Sequence, residues 1–145
     1  LLVCRNRTLI LSLDNKISNL TEHLIDCQND KAYEVLYFVT SEIDLISKRN
    51  FARFTNLNQI EIKGCKIGKI ESEAFSGLSN LVSIDLAMSE IKNMESKAFS
   101  AVYSLEKLTI NKCIFTTLEP GTFSYLPKIK TIFGNFIFLI ILQFG

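Results

Sequence analysis

The sequence predicts an α/β repeat fold: a solenoid of stacked coils with a parallel sheet on its concave side and a short irregular, 3₁₀ or helical convex side. Three observations predict it. A unit of 24 residues recurs, with Leu57, Leu81 and Leu105 opening successive blocks. The head of each block alternates apolar residues at period two: Ile60 and Ile62, Ile84 and Leu86, Leu108 and Ile110. Each block also carries a Phe at its nineteenth position, at Phe75, Phe99 and Phe123. A period of roughly 20–50 residues marks a stacked architecture, because one unit cannot bury its apolar face alone and needs its neighbours to do so.

Residues 1–32 read as an N-terminal cap holding a degenerate repeat. Leu9, Leu11 and Leu13 alternate as in a strand, and Asn15-x-Ile17-x-x-Leu20 reproduces half of the repeat motif. Ile17, Leu20 and Leu24 also fit one helical face, and the pattern leaves both readings open. His23, the single histidine, lies among polar residues and reads as solvated surface. Residues 33–132 hold four repeats and the start of a fifth. The first opens at Tyr33 and continues through Leu36, Phe38, Ile43, Ile46, Phe51 and Phe54.

Period-two residues point to one face of an extended segment. Residues 34–40, 58–64, 82–88 and 106–112 are therefore strand candidates, able to lie in parallel about 4.8 Å apart. Two further apolar positions follow each strand: Ile67 and Ile70, Ile91 and Met94, Phe115 and Leu118. Ser72-Glu73-Ala74-Phe75 and Ser96-Lys97-Ala98-Phe99 suit a short helical or 3₁₀ turn on the return limb. That turn would stack Phe51, Phe75, Phe99 and Phe123 as a column.

Residues 133–145 form an apolar C-terminal segment, an atypical or truncated cap. It is shorter than the roughly 20 apolar residues that span a bilayer, and Gly134-Asn135 interrupts it. It reads as one more strand on the last coil, as a chain end lacking its cap, or as the first part of a membrane anchor. Only the last reading predicts membrane association. Left uncovered, such an edge invites self-association.

The motif Leu57-x-x-Ile60-x-Ile62-x-x-Cys65-x-Ile67-x-x-Ile70-x-x-x-Ala74-Phe75-x-x-Leu78, with its copies from Leu81 and Leu105, resembles the leucine-rich repeat family. The likeness is to the 24-residue extracellular subtype of Toll-like receptors and insect receptors, and covers about residues 33–132. One departure stands out. The family's ninth position is usually Asn, whose amide satisfies backbone groups between coils; here it is Ser41, Cys65, Ser89 or Cys113. A hydroxyl is a smaller donor and a thiol a weak one, so a weaker ladder between coils is expected.

The 145 residues suffice for one solenoid domain. Net charge is +1, from 16 basic and 15 acidic residues, which gives no steering toward nucleic acid or anionic membranes. Cys65 and Cys113 are two coils apart, about 9–10 Å by strand spacing. That is beyond the roughly 7 Å between Cα atoms that a disulfide tolerates, so both read as buried free thiols. Cys4 and Cys27 bound the cap, which has little core of its own. A bridge between them would add about 3 kcal/mol in the chain-entropy model; the alternative is two unpaired cysteines. Asn6-Arg7-Thr8 and Asn19-Leu20-Thr21 are glycosylation sequons in the same region. With a cap disulfide they point to a secreted protein or to the extracellular side of the plasma membrane.

Strand residues that face away from the core line the concave side. They are Tyr37; Gln59, Glu61 and Lys63; Ser83, Asp85 and Ala87; Lys107, Thr109 and Asn111, with Met88 and Lys112 just beyond. Repeat proteins use such surfaces for binding, and the resemblance implies a protein, glycan or lipid-bearing ligand. The blander reading is a set of solvated strand residues. Glu61 beside Asp85 sets two like charges close, a candidate site unless Lys63 or Lys107 neutralises them. Glu71 and Glu73 lie on the return side and read as solvated. A single His, scattered glycines and no Cys/His spacing for zinc leave no catalytic, cofactor or metal motif. The expectation is a non-enzymatic recognition module, a receptor ectodomain or secreted binding protein; the resemblance alone implies innate immunity or cell adhesion. The alternative is a structural repeat protein that self-assembles or organises matrix.

Overall fold

The computed structural model describes residues 2–5, 7–12, 16–18, 20, 32–134 and 137–138. Twelve strands follow in order: β1 (Leu2–Arg5), β2 (Thr8–Ser12), β3 (Val35–Val39), β4 (Glu42–Ile46), β5 (Gln59–Lys63), β6 (Lys66–Ile70), β7 (Ser83–Asp85), β8 (Glu90–Met94), β9 (Lys107–Thr109), β10 (Ile114–Leu118), β11 (Thr131–Phe133) and β12 (Ile137–Phe138). They form two sheets. One has seven strands in the order β1-β2-β3-β5-β7-β9-β11; the other has five, β12-β10-β8-β6-β4. Every pairing is parallel except β1 with β2, which form an antiparallel hairpin. From β3 to β12 each coil contributes one strand to each sheet, and β1 and β2 add two more to the larger one.

The alternating heads produce the seven-stranded sheet as the period requires. Leu36 pairs with Ile60, Ile60 with Ile84, Ile84 with Leu108, and Leu108 with Ile132. The inward side chains are fully buried up to Leu108. A single coil shows the scale. Leu57, Ile60, Ile62, Ile67, Ile70, Phe75 and Leu78 are all buried, and each full burial of a side chain of this size is worth about 1.5–3 kcal/mol. The Phe column forms. Ring centroids lie 5.6, 5.4 and 5.9 Å apart from Phe51 through Phe75 and Phe99 to Phe123, with interplanar angles of 16°, 3° and 12°. Stacked aromatic pairs in this range add about 0.5–1.5 kcal/mol beyond burial.

One alternative of the sequence reading is decided and one feature is new. The return limb takes the irregular alternative: residues 72–76 and 96–101 are turns, not helix. The segment before it is a second parallel sheet. Its pairing skips one residue per strand, joining Ile43 to Ile67 and then Leu45 to Lys69. The strand bends at the skipped residue, so Ile67 and Ile70 both turn inward although they are three apart.

Each coil turns at single left-handed residues. They recur at the block period as Thr40, Gly64, Met88 and Lys112 (φ 48°, 64°, 59° and 56°) and as Arg49, Glu73, Lys97 and Gly121 (φ 56°, 58°, 58° and 80°). An L-residue held there costs about 1–2 kcal/mol. The cost is offset by hydrogen bonding, because these corner N–H groups donate to the next coil: Gly64 to Ala87 O at 3.2 Å, Met88 to Asn111 O at 2.9 Å, Glu73 to Lys97 O at 3.0 Å.

The cap supplies a strand. β2 continues the large sheet beside β3, and Ile17 bridges Ile43 in parallel, so the strand reading holds for Leu9 and Leu11. At the other end β11 and β12 extend both sheets by one coil. No helix among the described residues is long and apolar enough to cross a membrane. Leu13, Asn15, His23 and Leu24 lie outside the described residues, as do residues 139–145.

Candidate binding face

In-register parallel pairing places equivalent residues side by side, so the outward face of the large sheet is organised in rows. One row runs Val35, Gln59, Ser83, Lys107, Thr131. The next runs Ile10, Tyr37, Glu61, Asp85, Thr109, Phe133. A third starts at Val39 and Lys63 and is carried on by Ala87 and Asn111, beyond the ends of β7 and β9.

The middle of this face is a hydrogen-bonded ionic network. The Lys63 ammonium sits 2.5 Å from Glu61 Oε2 and 3.1 Å from Asp85 Oδ2. The Gln59 amide donates to Glu61 Oε1. The hydrogen bond from the Tyr37 hydroxyl to Glu61 pushes the phenol above its usual range, aided by burial. The hydrogen bond to Glu61 likewise raises the Lys63 ammonium, with Asp85 adding to it against the cost of burial. Asp85 Oδ1 accepts the Ala87 N–H at 2.9 Å. The close approach of Glu61 and Asp85 is thus neutralised by Lys63; Lys107 lies over the Phe133 ring instead, at 5.8 Å.

The structure brings together Tyr37, Gln59, Glu61, Lys63 and Asp85. It places Ser83, Ala87, Thr109 and Asn111 half-buried beside them, and Met88, Lys107 and Lys112 exposed at the rim. Glu61 is only 5% exposed. It is an organiser of its neighbours rather than an open contact, because three side chains converge on its carboxylate. Sequence reasoning missed Ile10, Val35, Val39, Thr131 and Phe133 on the same face. Val35 and Val39 were available from strand alternation around Tyr37, and Phe133 from the 24-residue step beyond Thr109. Ile10 pairs with Tyr37 across 27 residues, a spacing the block period hides.

On the return limb Glu71 and Glu73 are not merely solvated. Glu71 accepts the Lys48 N–H at 2.9 Å, and its equivalents Glu95 and Glu119 accept those of Ser72 and Ser96 at 2.8 and 2.9 Å. Glu73 pairs with Lys48 at 2.8 Å. Cys65 and Cys113 are buried free thiols, and Cys4 is disulfide-bonded. Its expected partner Cys27 lies outside the described residues, as do the sequon residues Asn6 and Asn19. Among the described residues no group of three or more His, Cys, Asp or Glu could hold a metal ion.

Two parallel sheets wound from a strictly periodic coil, with an in-register outward face, define a solenoid repeat protein. The chain belongs to the leucine-rich repeat family: the profile described as BspA type leucine-rich repeat region, in six copies, matches residues 38–137. In that fold the large sheet is the concave one. Among solved structures the chain is similar to the crystal structure of a TLR13–ssRNA13 complex, with 23% identity and a TM-score of 0.69. The match covers 88% of this chain and 18% of that one, and at this identity it shows the fold. No curated protein matches the chain.

Proposed function

We propose that the chain is a non-enzymatic recognition module that binds a protein or glycan ligand across the concave sheet, on the extracellular side of the membrane or in the secreted space. The observation that carries the reading is the Tyr37–Glu61–Lys63–Asp85 network, which fixes polar groups of neighbouring coils in one geometry. Preorganised groups lose little freedom when a ligand binds. Around the network Met88 (58% exposed), Val39 and Phe133 supply apolar contact area. The disulfide-bonded Cys4 and the sequons at Asn6 and Asn19 support an oxidising compartment.

The matched structure holds single-stranded RNA, so RNA is a necessary arm of the test. Binding of single strands relies on a positive groove with stacking aromatics. Here Lys63 is committed to two carboxylates, which favours a protein or glycan ligand. The experiment is a capture screen on immobilised glycan and ectodomain panels, with single-stranded RNA included. The intact chain is compared with a Met88→Ala/Lys107→Glu/Lys112→Glu variant, which alters only exposed residues. Specific capture of a glycan or protein, lost in the variant, is the expected result. Capture unchanged by the variant, or capture of RNA alone, overturns the reading.

One observation favours a second reading, self-assembly. Ile132 and Phe133 are 46% and 53% exposed at the last coil. Light scattering decides it: mass that grows with concentration supports assembly, a constant monomer mass supports ligand recognition.

A further inference from the structure

A cleft of about 390 Å³ opens on the return limb, away from the concave sheet. Its volume lies in the roughly 300–1,000 Å³ range of small-molecule sites. Four successive coils line it: Arg49, then Glu73 and Ser76, then Tyr103 and Ser104, then Lys128. The left-handed backbone at Arg49, Glu73 and Ala101 shapes its walls.

The charge in the cleft is positive. Neither Arg49 nor Lys128 makes an ion pair among the described residues. Glu73, the acidic residue in the lining, is engaged by Lys48, and that contact holds its carboxyl below the usual range. Arg49 and Lys97 also act on that carboxylate, so the lining carries one cation more than its anion, with Lys128 farther along the cleft. Ser76 is the second, independent feature. It lines the cleft, is 3% exposed, and its hydroxyl meets no hydrogen-bond partner among the described residues. Buried hydroxyls are ordinarily satisfied, and each exception calls for an explanation. Ser104 is different, since its hydroxyl already donates to Leu81 O at 2.7 Å. Tyr103, 67% exposed, adds a flat aromatic wall.

We infer that this cleft binds a small anionic sugar, with its carboxylate or phosphate held by Arg49 and Lys128, a ring hydroxyl on Ser76, and an apolar ring face against Tyr103. The planar guanidinium offers the paired donors that carboxylate and phosphate both accept. The site is separate from the concave face and does not depend on it.

The test is calorimetric titration of the intact chain with glucuronate, glucose 6-phosphate, glucose and inorganic phosphate. Saturable binding of at least one anionic sugar is expected, with glucose and phosphate alone each at least tenfold weaker. The order of glucuronate and glucose 6-phosphate identifies the anion. Arg49→Gln lowers the affinity at least tenfold at unchanged Tm. Ser76→Ala lowers it several-fold while Tm stays the same or rises, a combination that a purely structural hydroxyl does not give. Met88→Ala/Lys107→Glu on the concave face leaves it intact. Failure of both anionic sugars to saturate, equal binding of phosphate alone, affinity undiminished in Arg49→Gln and Ser76→Ala, or loss of sugar binding in the concave variant overturns the assignment.

Discussion

At the ninth residue of each coil the chain replaces the family's amide with alternating hydroxyls and thiols, and the ladder between coils still forms. Ser89 Oγ donates to Ile62 O at 3.0 Å and accepts the Cys65 N–H at 3.2 Å; Cys113 Sγ donates to Leu86 O at 2.8 Å and the Ser89 N–H bonds to that sulfur. A small side chain suffices because the coils already lie at strand spacing. Ser89→Ala strands a buried donor and a carbonyl, and is expected to cost about 1–3 kcal/mol in urea denaturation. The thiols carry a pH signature. Burial pushes the Cys113 thiol up to about 11 and also raises Cys65. The unfolded thiol ionises near its ordinary value while the folded one keeps its proton, so the stability linked to Cys113 is complete below about pH 9. It is lost as pH rises through about 11. Tyr37 and Lys63, also raised, act in the same direction. Denaturation curves at pH 8, 9, 10 and 11 should show a steady fall, and Cys113→Ser should flatten part of it. In native protein at pH 8 neither thiol should react with a disulfide reagent, and both should react in urea.

The element scale separates what the sequence disclosed from what it hid. The concave strands were legible because Ile60 and Ile62 alternate, as do Ile84 and Leu86, and alternation is the one signal a straight, half-buried strand leaves. The second sheet was not, because its strands bend at Asp44, Gly68 and Lys92, and the bend converts alternation into a three-residue step from Ile67 to Ile70. At Gly68 the neighbouring coil leaves no room for a side chain. A Cβ there would lie 2.5 Å from the Asp44 carbonyl oxygen of the preceding coil, so Gly68→Ala must push two coils apart. Its expected cost is about 1–3 kcal/mol, in the range of overpacked interiors, seen as a lower urea midpoint. The corners respond in the opposite sense. Met88 is exposed and left-handed at φ 59°, where glycine relieves a strain of about 1–2 kcal/mol. The added freedom of the unfolded chain takes back about 0.4–1 kcal/mol. Met88→Gly should therefore raise stability by about 0.5–1 kcal/mol, and a lower melting temperature would show that the corner is not strained. The binding face was only partly legible for a related reason. Alternation named its polar centre, but the apolar margins at Ile10 and Phe133 belong to a cap offset by three residues and to a coil where the block pattern fades.

For the whole molecule, coupling runs from each coil to the next rather than through one central core. Each apolar row is a chain of nearest neighbours, and the Phe column makes this plain: Phe75 touches Phe51 and Phe99, both 5.4–5.6 Å away, while Phe51 reaches Phe123 only through the other rings. In such a stack stability is a sum of coil and interface terms. Phe75→Ala removes a buried ring and two ring contacts, at a cost of about 3–5 kcal/mol. The location of the damage tests the architecture more sharply than its size. Amide hydrogen exchange should show the largest loss of protection in β5, β6 and the strands of the coils on either side, β3, β4, β7 and β8. It should fall off toward β9 to β12. Phe99→Ala should shift the same pattern one coil toward the C-terminus. A uniform loss over all strands in both variants would mean that the coils unfold as one indivisible unit and that the nearest-neighbour account is wrong. A displaced pattern would instead tie the rigidity of the Tyr37–Glu61–Lys63–Asp85 face to the coils that carry it. Its geometry would then loosen in Phe75→Ala more than in Phe99→Ala, and loosen least of all in Phe123→Ala.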